Sequence, residues 1–209
     1  MKPYTIVKPI IDFLLALIGI FLLWPFFLII SIFIKLGSKG PVLFKQKRIG
    51  KNKKEFYILK FRTMRTDTPA EMPTHMLQDP DFFITKVGKF LRKTSLDELP
   101  QIINILKGEM SIIGPRPALW NQYDLIAERD KYRANDIKPG LTGWAQVNGR
   151  DELPIEIKSR FDGEYTAKFT FMLDLKVFFM TVLSVLKSEG VREGAKDQEV
   201  ASTTKGAAL

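Results

Sequence analysis

The sequence has no cysteine and a single histidine, His75. Without cysteine, the chain forms no disulfide, offers no thiol nucleophile and binds no metal through thiolates. His75 lies in a polar, proline-containing stretch, so neither a histidine-based triad nor a His-rich zinc site is expected. Carboxylates, hydroxyls and basic groups must therefore carry any reaction. This set of ligands suits a hard cation such as Mg²⁺ better than zinc.

The charge balance is basic, and the excess is unevenly placed. The chain of 209 residues, long enough for one domain with a hydrophobic core, has a net charge of +9. Residues 35–62 hold ten Lys or Arg and one acid, Glu55, so the rest of the chain is balanced. A basic block beside an apolar stretch indicates an anionic membrane surface or a phosphate-rich substrate. Nucleic acid is the competing ligand, although no DNA- or RNA-binding motif accompanies the block.

An uncharged apolar run of 22 residues covers positions 13–34. As a helix it would be about 33 Å long, enough to cross a bilayer. Pro25 interrupts its middle, and both flanks are basic, whereas a single span should have one basic side. Two topologies are therefore alternatives: a straight helix that spans the membrane, and a helix bent at Pro25 that enters and leaves on the same face. Asp12, at the edge of the run, is expected to pair with Lys8 one helical turn earlier.

After the apolar run, residues 41–64 are predicted to form a β-hairpin around a turn at residues 50–52. Strand alternation directs Lys60 and Arg62 to the same side of this hairpin. The two cations are either a solvated strand end or a phosphate-binding pair. Residues 66–83 lack periodicity and are predicted to form a loop, a candidate lid over a site.

The centre of the chain places two adjacent acids, Asp97 and Glu98, among apolar residues. Thr94 or Ser95 is expected to cap a helix whose first turn contains these acids and favours negative charge. Arg116 follows between two prolines, whose fixed φ angles hold it in place. A planar cation held near two carboxylates suits phosphate transfer, whereas a capped helix with a surface salt bridge is the simpler interpretation.

The remaining patterns are helical or rich in glycine. Apolar periodicity predicts helices over residues 84–91, 99–107 and 118–136. Residues 138–150 are glycine-rich and form either a ligand-binding loop or a simple turn. Residues 171–187 form an apolar helix with polar residues near one stripe. This is either a core helix or a helix lying in the membrane interface.

Several motifs, taken together and in order, resemble those of the bacterial sugar transferase family, the monotopic phosphoglycosyl transferases. The resemblance covers residues 8–187 and is closest to the short members that consist of the catalytic domain alone. The matching stretches are Lys60-Phe-Arg-Thr-Met64, Leu91-Arg-Lys-Thr-Ser-Leu-Asp-Glu-Leu-Pro-Gln101, Asn104-Ile-Leu-Lys-Gly-Glu-Met-Ser111, Gly114-Pro-Arg-Pro117, Pro139-Gly-Leu-Thr-Gly-Trp-Ala-Gln-Val-Asn-Gly-Arg150, Phe161-Asp162 with Tyr165, and Leu173-Asp-Leu-Lys176.

The resemblance implies an enzyme that moves a sugar 1-phosphate from a UDP-sugar to a polyprenyl phosphate, such as undecaprenyl phosphate, and releases UMP. Such enzymes use Mg²⁺ and work at the cytoplasmic face of the bacterial inner membrane, where they start glycan assembly on a lipid carrier. The implied partners are the UDP-sugar donor, the polyprenyl phosphate acceptor and membrane lipids, and not nucleic acid. The implied reaction has two steps and passes through a covalent aspartyl phospho-sugar.

By position, the resemblance makes Asp97 the nucleophile and Glu98 the second catalytic carboxylate, which holds Mg²⁺. A carboxylate that attacks a diphosphate meets like-charge repulsion, which a metal ion and fixed cations must offset. The implied substrate-binding residues are Lys60, Arg92, Arg116, Arg150 and Asp162. The family also implies a re-entrant helix with a break at Pro25, although Trp24 stands where the family usually has Ser.

The predicted fold is α/β of the α+β type. We expect a small helix-rich domain with a short antiparallel sheet, a re-entrant N-terminal membrane helix and interfacial amphipathic helices. The predicted parts are a membrane anchor over 1–36, a catalytic domain over 37–190 and a flexible tail over 191–209. One rival function is a non-catalytic, membrane-anchored module that binds anionic lipid or nucleic acid through residues 35–62. Another is a glycosyltransferase that releases UDP rather than UMP.

Overall fold

The computed structural model describes residues 4–68, 80–149 and 153–186. This part of the chain is helix-rich and contains one antiparallel and one parallel pair of strands, which confirms the predicted fold class. The elements in chain order are α1 Tyr4–Gly37, β1 Leu43–Ile49, β2 Glu55–Phe61, α2 Pro80–Phe83, α3 Lys86–Lys93, α4 Gln101–Leu106, β3 Ser111–Ile113, α5 Tyr123–Asp130, β4 Gly140–Thr142, α6 Trp144–Val147, α7 Ile155–Lys168 and α8 Phe171–Leu186.

Strands β1 and β2 form the predicted hairpin, with Leu43 opposite Phe61 at its open end. The turn between the strands is a short 3-10 segment in which Asn52 has a left-handed φ of 54°. Asparagine adopts this conformation more readily than most residues, so the local sequence favours a turn here. The hairpin thereby brings Lys60, near the end of β2, back toward the centre of the domain.

The glycine-rich segment after Lys138 contains strand β4 and helix α6, so its prediction as a loop or simple turn is wrong. Strand β4 runs parallel to β3, with Ser111 opposite Gly140. A Cβ atom on Gly140 or on Gly143 would overlap the backbone of Gly114. These glycines therefore allow two segments of the chain to pack backbone against backbone, and contact of this segment with a ligand stays a prediction.

Helix α1 is a single element that contains both Pro9 and Pro25. Pro25 therefore does not divide it into two helices, as the predicted helix-break-helix would. A bend that makes the helix re-entrant stays a prediction. Within the described part of the chain, α1 is long and apolar enough to cross a membrane. Most of its apolar side chains are exposed, with Phe21 at 74% and Trp24 at 59%.

One face of α1 contacts the rest of the protein along most of the helix. Its buried residues follow at helical spacing and are Lys8, Asp12, Ala16, Ile30 and Ile34. Between them, a Cβ atom on Gly19 would overlap Ile102 of α4, and the ring of Phe27 lies 5.3 Å from that of Phe61. Residues three and four apart share one face of a helix, so α1 packs with one face and displays apolar side chains on the others.

The hydrophobic core consists of three clusters of buried residues, and α1 contributes to two of them. The first contains Ala16, Phe56, Ile58, Ile105 and Met110. The second contains Ile30, Ile34, Phe61 and Leu91. The third contains Ile113, Tyr165 and Val177. The N-terminal helix is therefore also a core element, because its residues pack with those beyond residue 36 in two of the clusters, and the predicted division after residue 36 stays a prediction.

Helix α8 has its polar face toward the protein and its apolar face outward. Asp174 is buried, Val177 is fully buried, and Thr181 forms a hydrogen bond of 2.8 Å with Thr142. These three residues share one helical face. On other faces the side chains are exposed, as for Phe179 at 57%. A core helix would bury such side chains, so the structure favours the interfacial interpretation.

Other predictions differ in extent. The helix expected over 118–136 is shorter, because α5 ends at Asp130 and a separate 3-10 turn follows at Ala134–Asp136. Helix α4 ends before Gly108, whose φ of +76° is the left-handed conformation that stops helices, as expected. His75, most of the predicted lid and the predicted tail lie outside the described residues.

Candidate active site

The predicted acid pair and Arg116 meet in one cluster. The carboxylate of Glu98 accepts hydrogen bonds at its Oε1 atom from Lys60 Nζ at 2.6 Å and from Arg116 Nη2 at 2.8 Å. Arg116 Nη1 lies 3.4 Å from the other oxygen, Oε2. The side chains of Lys60 and Glu98 are each 17% exposed, and that of Arg116 is 36% exposed. The cluster is therefore partly shielded from solvent yet open to a ligand.

The acid pair lies in a 3-10 turn between α3 and α4, not in the first turn of a longer helix. Thr94 ends α3, where its hydroxyl donates to the carbonyls of Phe90 and Leu91. Ser95 has a left-handed φ of 57° and makes no side-chain cap. The predicted N-cap is therefore wrong, and the positive potential at Asp97 comes from side chains rather than from a capped helix start.

Ser95 shows that this turn is conformationally strained. Positive φ is uncommon outside glycine and costs about 1–3 kcal/mol when the surrounding structure enforces it. The turn is closed by hydrogen bonds from the Glu98 amide to the Ser95 carbonyl and from the Leu99 amide to the Leu96 carbonyl, both 3.3 Å. These contacts orient the two neighbouring side chains differently. The Glu98 carboxylate contacts Lys60 and Arg116, whereas the Asp97 carboxylate lies in different surroundings.

The Asp97 carboxyl is half-buried, and burial raises its pKa above the ordinary value of 3.8. The positive charge of Lys60 opposes this rise, the negative charge of Glu98 adds to it, and Arg92 and Arg116 oppose it further. Of the side-chain hydrogen bonds between described residues, none ends on this carboxylate. A partly desolvated carboxylate with weak hydrogen bonding retains its lone pairs for attack on an electrophile.

The pKa of Glu98 is shifted in the opposite direction. Burial by itself would raise its pKa, but the charges and hydrogen bonds of Arg116 and Lys60 lower the pKa far below the ordinary value of 4.5. Glu98 is therefore ionised under all physiological conditions. Two neighbouring carboxyls with pKa values moved in opposite directions indicate separate chemical roles.

Lys60 is positioned by a polar contact between α4 and β2. Asn104 is fully buried, and its amide accepts a hydrogen bond from the Leu59 N–H at 3.0 Å and donates one to the Tyr57 carbonyl at 2.8 Å. Asn104 therefore fixes the strand residue immediately before Lys60 relative to the helix that follows Glu98. Sequence reasoning gave this asparagine no role beyond its place in a matching motif.

The other implied substrate-binding residues fall into three situations. Arg92, at the end of α3, is close enough for its charge to act on Asp97. Asp162 is 1% exposed and pairs with Arg129, so the structure does not place it with the acid pair. Arg150 lies outside the described residues. The substrate-binding roles of all three stay predictions.

Arg62 does not join Lys60 in a phosphate-binding pair. Its guanidinium is buried and donates hydrogen bonds to the carbonyls of Ser38 and Lys39, just past the end of α1. A cation at this position satisfies carbonyl groups that a helix end leaves without partners. Arg62 therefore attaches helix α1 to the hairpin, and neither predicted interpretation of this residue is correct.

The donor set at the acid pair is suitable for magnesium only if a substrate completes it. Within the described residues, no group of three or more His, Cys, Asp or Glu side chains surrounds a common point. Mg²⁺ is often held by one or two carboxylates, with phosphate oxygens and waters as the remaining ligands. Asp97 and Glu98 supply such carboxylates. Oε2 of Glu98 is the oxygen with spare capacity, because Oε1 takes both short hydrogen bonds.

Comparison with known proteins gives a consistent family match. The family model described as "Bacterial sugar transferase" matches residues 3–188. The sugar transferase EpsL of Bacillus subtilis is 43% identical over 167 residues, which cover 80% of either chain. The exopolysaccharide production protein ExoY of Sinorhizobium fredii is 36% identical over 194 residues, covering 86% of this chain and 85% of the relative.

A relative with an explicit activity in its name matches a smaller share of its own length. The UDP-glucose:undecaprenyl-phosphate glucose-1-phosphate transferase of Xanthomonas campestris is 40% identical over 191 residues. The match covers 88% of this chain but 39% of the relative. The chain thus spans about two-fifths of the length of that enzyme, whereas it spans most of the length of EpsL and of ExoY.

Proposed function

The chain belongs to the bacterial sugar transferase family, and from this premise we propose that it transfers a sugar 1-phosphate from a UDP-sugar to a polyprenyl phosphate. The observation that carries the proposal is the cluster in which Lys60 and Arg116 both bind Glu98 while the adjacent Asp97 carboxylate remains available. Enzymes with such activity are among its relatives. The family match over residues 3–188 includes Asp97 and Glu98 of this chain.

In the first step, an oxygen of Asp97 attacks the sugar-bearing phosphorus of the donor. The bond between this phosphorus and the bridging oxygen breaks, UMP leaves, and a phospho-sugar ester forms on Asp97. In the second step, a phosphate oxygen of the polyprenyl phosphate attacks the same phosphorus and releases the Asp97 carboxylate. The products are UMP and a polyprenyl diphosphate sugar, and neither step needs a net proton transfer.

Positive charge near Asp97 makes this attack feasible. Phosphoryl transfer depends mainly on positioning and on neutralising charge at the phosphoryl oxygens. Lys60 and Arg116 are fixed by Glu98, and the positive charge of Arg92 also acts on Asp97. Asp97 or Glu98 Oε2, with the diphosphate, would hold Mg²⁺, which supplies Lewis-acid polarisation of the phosphoryl oxygens.

The membrane topology follows from the contacts of α1 at its two ends. Near one end, Lys8 and Asp12 bind Asp174 and Ser111, and near the other Ile34 packs in a cluster with Phe61. A straight helix from Lys8 to Ile34 would be about 39 Å long, more than the hydrocarbon core of a bilayer. Because one small domain contacting both ends is difficult to reconcile with a helix that crosses the bilayer, we propose that α1 enters a single leaflet and that the protein is monotopic.

The side of the membrane is assigned by charge and substrate. The basic block after α1 belongs on the cytoplasmic face by the positive-inside rule, and nucleotide sugars are cytoplasmic substrates. The exposed apolar side chains of α1 and α8 would lie among the lipids, and the acid pair would lie at the surface where a polyprenyl phosphate displays its head group.

The activity is tested by assaying nucleotide release from a panel of UDP-sugars with undecaprenyl phosphate as the acceptor in detergent or nanodiscs. The proposal predicts UMP and a lipid-linked sugar diphosphate with at least one donor. Release of UDP would instead show a glycosyltransferase that leaves the sugar phosphate behind. Membrane binding without release of either nucleotide, for all donors and with Mg²⁺ present, would favour the non-catalytic module.

A further inference from the structure

We infer that Arg48 and Arg129, with Asp162 as the counter-ion of Arg129, are positioning residues that hold the backbone of residues 115–118 and thereby aim Arg116 at the transferred phosphate. The two arginines lie far from the acid pair in sequence, on strand β1 and helix α5. The inference rests on the proposed function, because it assumes that Arg116 binds the phosphoryl group. It gives roles to Arg48 and Arg129, which neither the motifs nor the relatives' names assign, and gives Asp162 a positioning role in place of the substrate-binding role that the resemblance implies.

Four successive carbonyl groups around Arg116 are held by different parts of the fold. The carbonyl of Pro115 accepts from the Gly140 amide at 2.9 Å, and that of Ala118 accepts from the Ile49 amide at 2.9 Å. Between them, the carbonyl of Arg116 accepts from Arg129 Nη1 at 2.9 Å, and that of Pro117 from Arg48 Nη1 at 3.0 Å. The two central carbonyls are therefore bound by guanidinium groups.

The sequence of this turn explains why it needs side-chain donors. Pro115 and Pro117 have no N–H group, so half of the backbone donors that could hold the turn are missing. Backbone amides of the flanking strands reach only the outer carbonyls. The orientation of the Arg116 peptide is therefore set by Arg129, and that of the Pro117 peptide by Arg48. Both donors are charged, and hydrogen bonds to charged donors are shorter and stronger than neutral ones.

Arg129 is itself fixed by a buried ion pair. Its Nε atom donates to Asp162 Oδ2 at 2.8 Å, and Nη2 lies 2.6 Å from the same oxygen. The side chains of Arg129 and Asp162 are 3% and 1% exposed. Asp162 on α7 thus compensates a buried charge and directs the remaining nitrogen, Nη1, at the Arg116 carbonyl. This geometry gives a role to Asp162, a carboxylate of the matching motif that does not contact the acid pair.

Rotation of the Arg116 peptide would move its side chain away from Glu98 and from any phosphate next to Asp97. A misplacement of about 1 Å can reduce the rate of an enzyme by about 100-fold. Replacement of Asp162 or Arg48 should therefore lower the rate of UMP release, by an amount set by the contribution of the Arg116 side chain to that rate. Once the Arg116 side chain is absent, its backbone orientation should no longer matter for the phosphate.

The experiment is a double-mutant cycle with Asp162→Asn, Arg48→Lys and Arg116→Ala. Two quantities are measured for each variant: the rate of UMP release per folded molecule, and the affinity for inorganic pyrophosphate by titration calorimetry. We expect Asp162→Asn and Arg48→Lys each to reduce rate and affinity about 10-fold or more in the wild-type background. In the Arg116→Ala background, either change should reduce them less than 2-fold further.

Equal reductions in both backgrounds would overturn the inference, because they would show a general structural role. Leu125→Ala is the matched control, because it removes a buried side chain on the same helix as Arg129 that donates no hydrogen bond to the turn. Its effects should be the same with and without Arg116. If Asp162→Asn fails to fold, Arg48→Lys carries the test. If the wild type releases no UMP, the proposed function fails, and the pyrophosphate cycle alone decides the positioning role.

Discussion

Lys8 of helix α1 and Asp174 of helix α8 form a buried ion pair with an Nζ–Oδ2 distance of 2.6 Å, although 166 positions separate them in the sequence. Asp174 also accepts hydrogen bonds from the hydroxyls of Tyr4 and Tyr165. Since both helices expose apolar side chains elsewhere, this polar contact joins the buried faces of two helices that are otherwise apolar and exposed. The Asp12 carboxylate lies 3.4 Å from the same Lys8 ammonium group, which confirms the expected pairing of Lys8 with Asp12.

The first prediction concerns this ion pair. Replacement of Lys8 by Met leaves Asp12 and Asp174 buried without their cation, and we expect the free energy of unfolding to fall by about 3 kcal/mol. The measurement is thermal or chemical unfolding in a fixed detergent. Lys53→Met is the matched control, because its pair with Asp130 is exposed and should contribute less than about 1 kcal/mol. Similar losses in the two variants would contradict the prediction.

The second prediction concerns the topology of α1. The natural chain lacks cysteine, so single cysteines can be introduced at the exposed positions Thr5 and Lys39, on either side of the apolar segment. An impermeant maleimide should label both from the cytoplasmic face of inverted vesicles and neither from the outer face of intact cells. Labelling of the two sites from opposite faces would show that α1 spans the bilayer.

The third prediction separates activity from stability at Asp97. Asp97→Asn should reduce UMP release by at least about 10⁴-fold, because it removes the nucleophile. Burial raises the pKa of Asp97, so its ionised form is disfavoured by folding, and the variant should be as stable as the wild type or more stable at neutral pH. Intact mass after incubation with UDP-sugar alone should show a phospho-sugar adduct on the wild type only.

Asp136→Asn provides the control for that experiment, since this acid forms an exposed pair with Arg133 and has no side-chain contact with the acid pair among the hydrogen bonds and ion pairs of the described residues. It should keep full activity and form the adduct. An adduct of equal yield on Asp97→Asn would remove Asp97 from the role of nucleophile.

The fourth prediction is a pH dependence with opposite signs at the two acids. Glu98 has a lowered pKa, so its contribution to stability is complete above about 4.5 and declines as the pH falls below that value. Glu98→Gln should therefore be less stable than the wild type at pH 7, and the difference should shrink on acidification. Asp97 must be ionised to attack, so the acid limb of the rate profile should lie above the ordinary pKa of 3.8.

Unfolding curves and initial rates measured between pH 3 and pH 8 check both parts. A gap between Glu98→Gln and the wild type that widens toward low pH would contradict the assigned direction of the Glu98 shift.

The fifth prediction tests the backbone contact between the two glycine-bearing segments. A Cβ atom on residue 143 would overlap the carbonyl oxygen of Gly114, so Gly143→Ala should lower the free energy of unfolding by about 1–3 kcal/mol and displace the turn that carries Arg116. Gly37→Ala is the control, because its Cβ atom would lie 3.4 Å from Val87 Cγ2, an ordinary contact. Stability and UMP release should both decline for residue 143 and remain near wild type for residue 37.

The amino-acid sequence by itself determined the local elements and the chemical inventory. Period-two alternation around a Gly-Lys-Asn turn specified the β1–β2 hairpin, and an uncharged run specified helix α1. The prolines on either side of Arg116 predicted a restricted backbone, and the structure places the Arg116 side chain in contact with Glu98. Such features depend on neighbours a few residues apart, where backbone stereochemistry and side-chain spacing decide the outcome.

Tertiary structure decided which long-range partners those elements received. Thr94 ends a helix rather than starting one, because the Ser95 backbone turns left-handed before the acid pair. Gly140 and Gly143, after Lys138, pack against the Gly114 backbone. The pairing of Arg129 with Asp162 and its reach to the Arg116 carbonyl join three elements that no periodicity connects. A charged side chain pairs with the groups that the folded chain places next to it. Those neighbours are determined by the packing of the whole chain rather than by local sequence.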